Sequence, residues 1–181
     1  MAGWSTPRTW VVDEVVTASM LNSHLRDLLL ILGAGARVYH NAAQDIPHAT
    51  WTSLAFNSER YDPDGFHSNV TNNSRFMVPA GFPGRYDLWA GWQWAGNSNG
   101  SRHARFLLNQ TSVIAQQWYA FSGGGSPTVS EGTLSGNFPL GAVGDFVEIQ
   151  VYQSSGVALA INSAPYFSAE FSIQGRGGLL G

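Results

Sequence analysis

The stretch RYDLWAGWQWA, residues 85–95, decides how this chain folds. Tyr86, Leu88, Ala90, Trp92 and Trp94 fall on alternate positions, so a strand aims all five at one face. The opposite face carries Trp89, Gly91 and Ala95 and is not simply polar. A strand that is apolar on both sides has to be covered twice, once by an opposing sheet and once by a second surface. In a one-domain protein that second surface is commonly another subunit. Trp89, Trp92, Trp94, Tyr152 and Phe171 are the aromatic candidates for such a contact, because large aromatics dominate interface cores. Packing within the chain's own core is the competing assignment for each.

Reading outward, RHARFLLN (102–109), SVIAQQWYAF (112–121), DFVEIQVYQ (145–153) and YFSAEFSIQ (166–174) continue the strand pattern. Turn clusters separate them: PAGFPG, AGNSNGS, NQT, SGGGSP, GAVGD and QSSGV. Short strands at this spacing, with no helical period after Gly33 and no internal repeat, predict a mainly β sandwich or jelly roll over residues 36–181.

Residues 1–35 differ in kind. WSTPRTWVVDEVV, with Pro7 and β-branched residues around Trp10, disfavours helix and reads as extended. Thr17 suits a helix N-cap, and a helix is predicted over 17–32, ended by Gly33 and Gly35. Leu21, Leu25, Leu28 and Leu32 recur at spacings of the a/d type along it. So short a helix is marginal alone in water and has to pack on something. Its own domain and a bundle in a larger assembly are the two options. Residues 1–35 are thus expected to form an anchor, with Trp10 and the leucine stripe as its contact residues.

Composition bounds the function. Of the 181 residues, 44% are hydrophobic and 13% aromatic, enough for a real core, while only 12% are charged. Such a low charge share, about half the usual one, points to surface buried against other copies. The net charge is −3 and the nine basic residues, all arginine, form no cluster, so nucleic acid is not an expected partner. Absent cysteine excludes disulfides, thiolate metal sites and thiol nucleophiles. The longest apolar run, Leu28 to Leu32, is too short to span a bilayer, and the start carries no export-type leader. A soluble product assembled inside the cell is the expectation.

Catalytic patterns are missing. His24, His40, His48, His67 and His103 are scattered, and neither HExxH nor GxSxG occurs. No phosphate-binding glycine loop opens a helix. In YDPDG, Asp62 and Asp64 beside a glycine suit either a hard cation or an ordinary β-turn. No enzyme activity and no cofactor are expected. Loops rich in Asn, Ser, Gly and aromatics suit glycan or protein surfaces, because flat rings stack on sugar faces and amides supply paired hydrogen bonds. Asn97, Asn99, Arg102, His103, Trp118 and Tyr119 are the candidates.

Two resemblances add to this. Trp10, Glu14, Val16, Thr17, Ala18, Leu21, Asn22, Arg26 and Asp27 match, in order, the pattern E-x-V-T-A-x-x-L-N-x-x-x-R-D after a tryptophan-containing extended stretch. This resembles the opening of many phage and prophage tail or fibre proteins; Asp13 stands where a glycine is usual. Further on, Gly84, Tyr86 and Leu88, then Leu108 and Asn109, then Gly144, Asp145, Val147 and Ile149, then Phe167 and Phe171, are similar in order and spacing to the jelly roll of tumour necrosis factor and the complement globular head. That resemblance implies ten strands and trimerisation through one aromatic-rich side. Together they imply a homotrimeric virion protein, assembled in the bacterial host. Its anchor would dock on other virion proteins and its jelly roll would project toward a host-surface glycan or protein. A capsid decoration or head fibre, and a secreted cytokine-like or adhesion module, are the alternatives.

Overall fold

The computed structural model of the chain describes residues 9–22, 33–120, 130–163 and 168–176. Among them lie one short helix, α1 (Ala18–Leu21), and twelve strands. In chain order these are β1 (Gly35–Tyr39), β2 (Gln44–Ile46), β3 (Thr52–Ser53), β4 (Ser58–Tyr61), β5 (Arg75–Met77) and β6 (Gly84–Trp94). There follow β7 (Ser101–Leu108), β8 (Ser112–Ala120), β9 (Ser130–Leu140), β10 (Phe146–Gln153), β11 (Leu159–Ile161) and β12 (Glu170–Gly175). Twelve described strands stand where ten were expected, and four of them, β2, β3, β5 and β11, are only two or three residues long.

Two antiparallel sheets stack. In the first, β6 lies between β9 and β12, and β12 leads on to β1 and β4; β11 and β2 extend the far end of β6. In the second, β10 lies between β7 and the short pair β3 and β5, and β8 closes the edge beyond β7. The first and last long strands, β1 and β12, are therefore neighbours, and the chain crosses repeatedly between the sheets, from β2 through β7 and again from β8 through β11, as in a jelly roll.

The alternation in residues 85–95 is realised as read. Tyr86, Leu88, Ala90, Trp92 and Trp94 are buried, whereas Arg85 and Trp89 are exposed. From the facing sheet come Ala104, Phe106, Val147, Ile149 and Val151, all buried. Phe171 of β12 joins the sheets: its ring lies 4.4 Å from Phe76, 5.6 Å from Phe106 and 5.8 Å from Phe56.

This burial corrects three candidates for a subunit contact. Trp92, Trp94 and Phe171 lie inside the sandwich, where packing on the opposing sheet has already removed them from water. The Gly132 opposite Trp92 on β9 makes room for its indole, since a Cβ there would fall 2.5 Å from the ring.

Gly35 begins β1 instead of ending a helix. A Cβ at this position would sit 2.4 Å from the Ile173 carbonyl oxygen, so the approach of β1 to β12 requires glycine. At the other end, Thr17 is the N-cap as expected, and its hydroxyl accepts from the Met20 amide at 3.2 Å. Leu25, Leu28 and Leu32 lie outside the described residues; Trp10 and Leu21 are described and exposed.

The turn residues matched in the second resemblance have a physical role. Asn109, in the left-handed region at φ 50°, donates from Nδ2 to Asp145 and accepts from the Phe146 amide, both at 2.9 Å. Asp145 in turn accepts from the Ala142 amide at 2.8 Å. The β7–β8 turn is thereby tied to the start of β10.

His40, just after β1, is buried on Phe56 with Nε2 3.3 Å from the Asn162 carbonyl. Burial lowers its pKa below the ordinary value. A depressed pKa means that the unfolded chain takes up a proton more readily than the folded one. The stability from neutral His40 is complete above the unfolded value of about 6.5 and is lost as pH falls toward the folded one. We expect Tm to drop between pH 7 and pH 5, and to drop less in His40→Gln, measured by thermal unfolding.

Candidate functional site

Alternate residues of β7, β8 and β10 that do not enter the core converge on the outward face of the second sheet. Ser101, His103 and Arg105 of β7 stand opposite Ala120, Trp118 and Gln116 of β8. On the other side, His103 pairs with Tyr152 of β10 and Arg105 with Gln150. Trp51, immediately before β3, folds over the same region because β3 pairs with Gln150 and Val151.

The result is a cluster of four rings. His103 stacks nearly parallel to Trp118 (6.1 Å, 23°) and meets Tyr152 edge-on at 5.1 Å. Trp51 lies 5.5 Å from Tyr152 and 6.0 Å from His103. Arg105 lies flat over Trp51, with Cζ 4.1 Å from the ring centroid. Its Nε and Nη2 donate to Gln150 Oε1 at 2.9 and 2.7 Å. Gln150 then donates to the Ser53 hydroxyl at 3.1 Å, which fixes the amide.

Electrostatically the cluster is simple. Burial lowers the pKa of His103, which disfavours its charged form, and Nε2 lies 3.0 Å from the Ser101 hydroxyl. Burial also lowers the pKa of Arg105, which nonetheless stays protonated. Glu148, two residues along β10, is engaged elsewhere: Ser53, Ser74 and Arg75 all donate to it. Among the described residues, Arg105 forms no ion pair.

The outward face of the first sheet has a different character. Glu170 of β12 receives Arg37 of β1 and Arg60 of β4, the latter at 2.9 Å. Arg60 covers Tyr39 at 4.1 Å, and Arg37 stands 5.8 Å from the Trp89 ring. Trp89 leans over Gly91, where a Cβ would fall 2.8 Å from the indole. Beside them runs a groove of about 340 Å³, bounded further by Gln93, Glu131 and Thr133.

The sequence candidates are thus redistributed. His103 and Trp118 meet as one surface, joined by Tyr152, which had been grouped with the subunit contacts. Trp89 lies on the opposite outer face from Tyr152, so the two cannot form a single contact patch. Arg102 is a correction: it is buried, its Nη1 donating to the carbonyls of Asn99 and Ser101 and its Nη2 to that of Asn97. Its Cζ lies 5.5 Å from Trp94. Arg102, Asn97 and Asn99 therefore shape the loop before β7. Gly100 completes that loop at φ +74°, where a Cβ would fall 2.2 Å from the Ser154 carbonyl. Tyr119 pairs with Arg102 across the strands, and its side chain lies outside the described residues.

Asp62 resolves as a turn organiser. Its Oδ1 accepts from the amides of Gly65 and Phe66, and its Oδ2 from that of His67, at 2.7–3.0 Å. With both oxygens turned to the backbone, Asp62 and Asp64 are a loop, as Gly65 at φ +76° requires. Among the described residues no group of three or more His, Asp or Glu is placed to hold a metal. Nor is any helix there long and apolar enough to cross a membrane.

Strand order and the inward aromatics together specify a particular jelly roll, with β9-β6-β12-β1 facing β8-β7-β10-β5. The structure of the Eiger TNF from S. frugiperda superposes with a TM-score of 0.59, covering 81% of this chain and 95% of that one. The fold is a TNF-like jelly roll. At 11% identity the likeness extends to the fold alone. No protein-family model and no curated protein sequence matches the chain.

Sequence reasoning missed Trp51, Arg105 and Gln150. Arg105 carried a readable signal, since it is two residues from His103 on an alternating strand and must share its face. Trp51 carried none, because only the β3–β10 pairing brings it there.

Proposed function

We propose that this chain is a non-enzymatic attachment protein of a bacteriophage tail, assembled as a trimer, with residues 1–35 docking on the particle. The observation that carries the attachment role is the ring cluster of Trp51, His103, Trp118 and Tyr152, held on rigid paired strands and open to solvent. Trp118 is 66% exposed in mid-strand. A large ring left uncovered there suits recognition better than stability.

The trimer places one such cluster on each subunit. Three weak contacts on one rigid body give high avidity without any strong single site. The tail location is supported by the N-terminal pattern from Trp10 to Asp27, and the threefold assembly by the TNF-like fold and the groove beside Trp89.

Mass spectrometry of purified particles, with heads and tails separated, tests the location. Recovery of the chain in tails is expected. Recovery in heads alone would make it a capsid decoration, and absence from both would sink the virion reading.

A further inference from the structure

The ring cluster combines two features that a plain packing surface does not need together. One is a stacked pair of rings, His103 and Trp118, whose outer member presents an open indole face. The other is a half-buried guanidinium. Arg105 is shielded on one side by Trp51, and its hydrogen bonds go to a neutral amide, Gln150. Elsewhere on the domain, Arg37 and Arg60 meet Glu170, Arg75 meets Glu148 and Arg176 meets Asp87, while Arg85 donates to the Asn137 amide at the outer edge and Arg102 to loop carbonyls in the interior. Arg105 forms no ion pair among the described residues, although Glu148 is on the neighbouring strand.

We propose that this surface is a saccharide site selective for sugars that carry a carboxylate. It rests on the reading of the chain as an attachment protein. A pyranose ring lies with its C–H face on Trp118, the indole supplying dispersion and its quadrupole meeting the polarised C–H bonds. The carboxylate takes the free edge of Arg105, a charge-assisted hydrogen bond strengthened by the flanking rings that exclude water. Gln116, exposed opposite Arg105, and the Ser101 hydroxyl beside His103 serve the sugar hydroxyls. One cation matches one anionic group per site. A polyanionic nucleic acid would need a row of cations that this face lacks.

The test uses the full chain and three uronic-acid oligomers, of α-galacturonate, β-glucuronate and β-mannuronate, each beside its neutral methyl ester, with polyglycerol phosphate as a second anion. Binding is followed by calorimetry. At least one free acid is expected to bind, and its ester to bind about tenfold more weakly, the scale of one charge-assisted hydrogen bond. Arg105→Gln should erase the acid–ester difference, and Arg105→Lys should restore part of it. Trp118→Ala should weaken acid and ester alike by about tenfold, with an unchanged melting curve because the ring is exposed.

Equal affinity for acid and ester, binding to none of the oligomers, or a preference for polyglycerol phosphate would each overturn the proposal. The outcomes separate cleanly from those of the particle analysis. A chain found in tails that ignores uronates fails only this inference; one that binds them but is absent from particles fails only the virion reading.

Discussion

Phe171→Ala is expected to lower the unfolding free energy by about 4 kcal/mol, within the range for a fully buried phenylalanine. The residue, on the first sheet, has no solvent exposure and touches Phe76 and Phe106 of the second sheet and Phe56 of the loop before β4. Alanine would leave a cavity between two hydrogen-bonded sheets, and neither sheet can collapse into it without breaking register with its neighbours. Domains are stable by about 5–15 kcal/mol, so this one side chain carries a large share. For a chain of this length Tm should fall by roughly 8–16 °C. Phe171→Leu fills most of the space and should cost less than half as much. Chemical unfolding of the three proteins checks the order. A loss below about 1 kcal/mol for alanine would mean that the sandwich is not joined through this ring.

The parts of the fold that could be read from sequence are those where parity alone determines the outcome. β6, β7, β10 and β12 each alternate, and a period of two leaves one register that buries Tyr86, Phe106, Val147 or Phe171. β9 was passed over, although it pairs with β6 along its whole length from Ser130 to Leu140. Gly132, Gly136 and Pro139 break its pattern. Each has a local reason: Gly132 admits Trp92, Gly136 lies under Phe138, and proline is tolerated because, among the described residues, β9 pairs with β6 alone.

The candidate site was only half legible, for a different reason. Composition points to His103 and Trp118, because loops and strand ends rich in aromatics suit binding, but it favours Arg102, next to the Asn-rich loop, over Arg105. The two arginines differ by three positions and thus by parity. Arg102 points inward to Trp94 and the carbonyls of Asn97 and Asn99, while Arg105 points outward. Parity also separates Trp89 from Trp92 and Trp94, and it leaves Trp89 as the member of that tryptophan group available to a second subunit.

Trp89→Glu is therefore expected to convert the proposed trimer into monomers. Trp89 is 37% exposed, and its indole leans over Gly91 beside the groove that Arg37 and Glu170 border. Because it projects from the sandwich, glutamate there leaves the core intact, and the monomer should melt as a folded domain. In the trimer the same change buries a carboxylate at three symmetric positions. Glu170 already occupies the two nearby arginines, so each new charge lacks a free partner and costs on the order of several kcal/mol. Closed threefold symmetry multiplies that cost by the number of interfaces. Light scattering reads the result directly. Dissociation with an unchanged circular dichroism spectrum supports burial of this face between subunits, and Trp89→Phe should keep the trimer. A monomeric wild type would refute the assembly altogether. A trimer that survives Trp89→Glu would move the role of holding three chains together to the leucine stripe from Leu21 to Leu32.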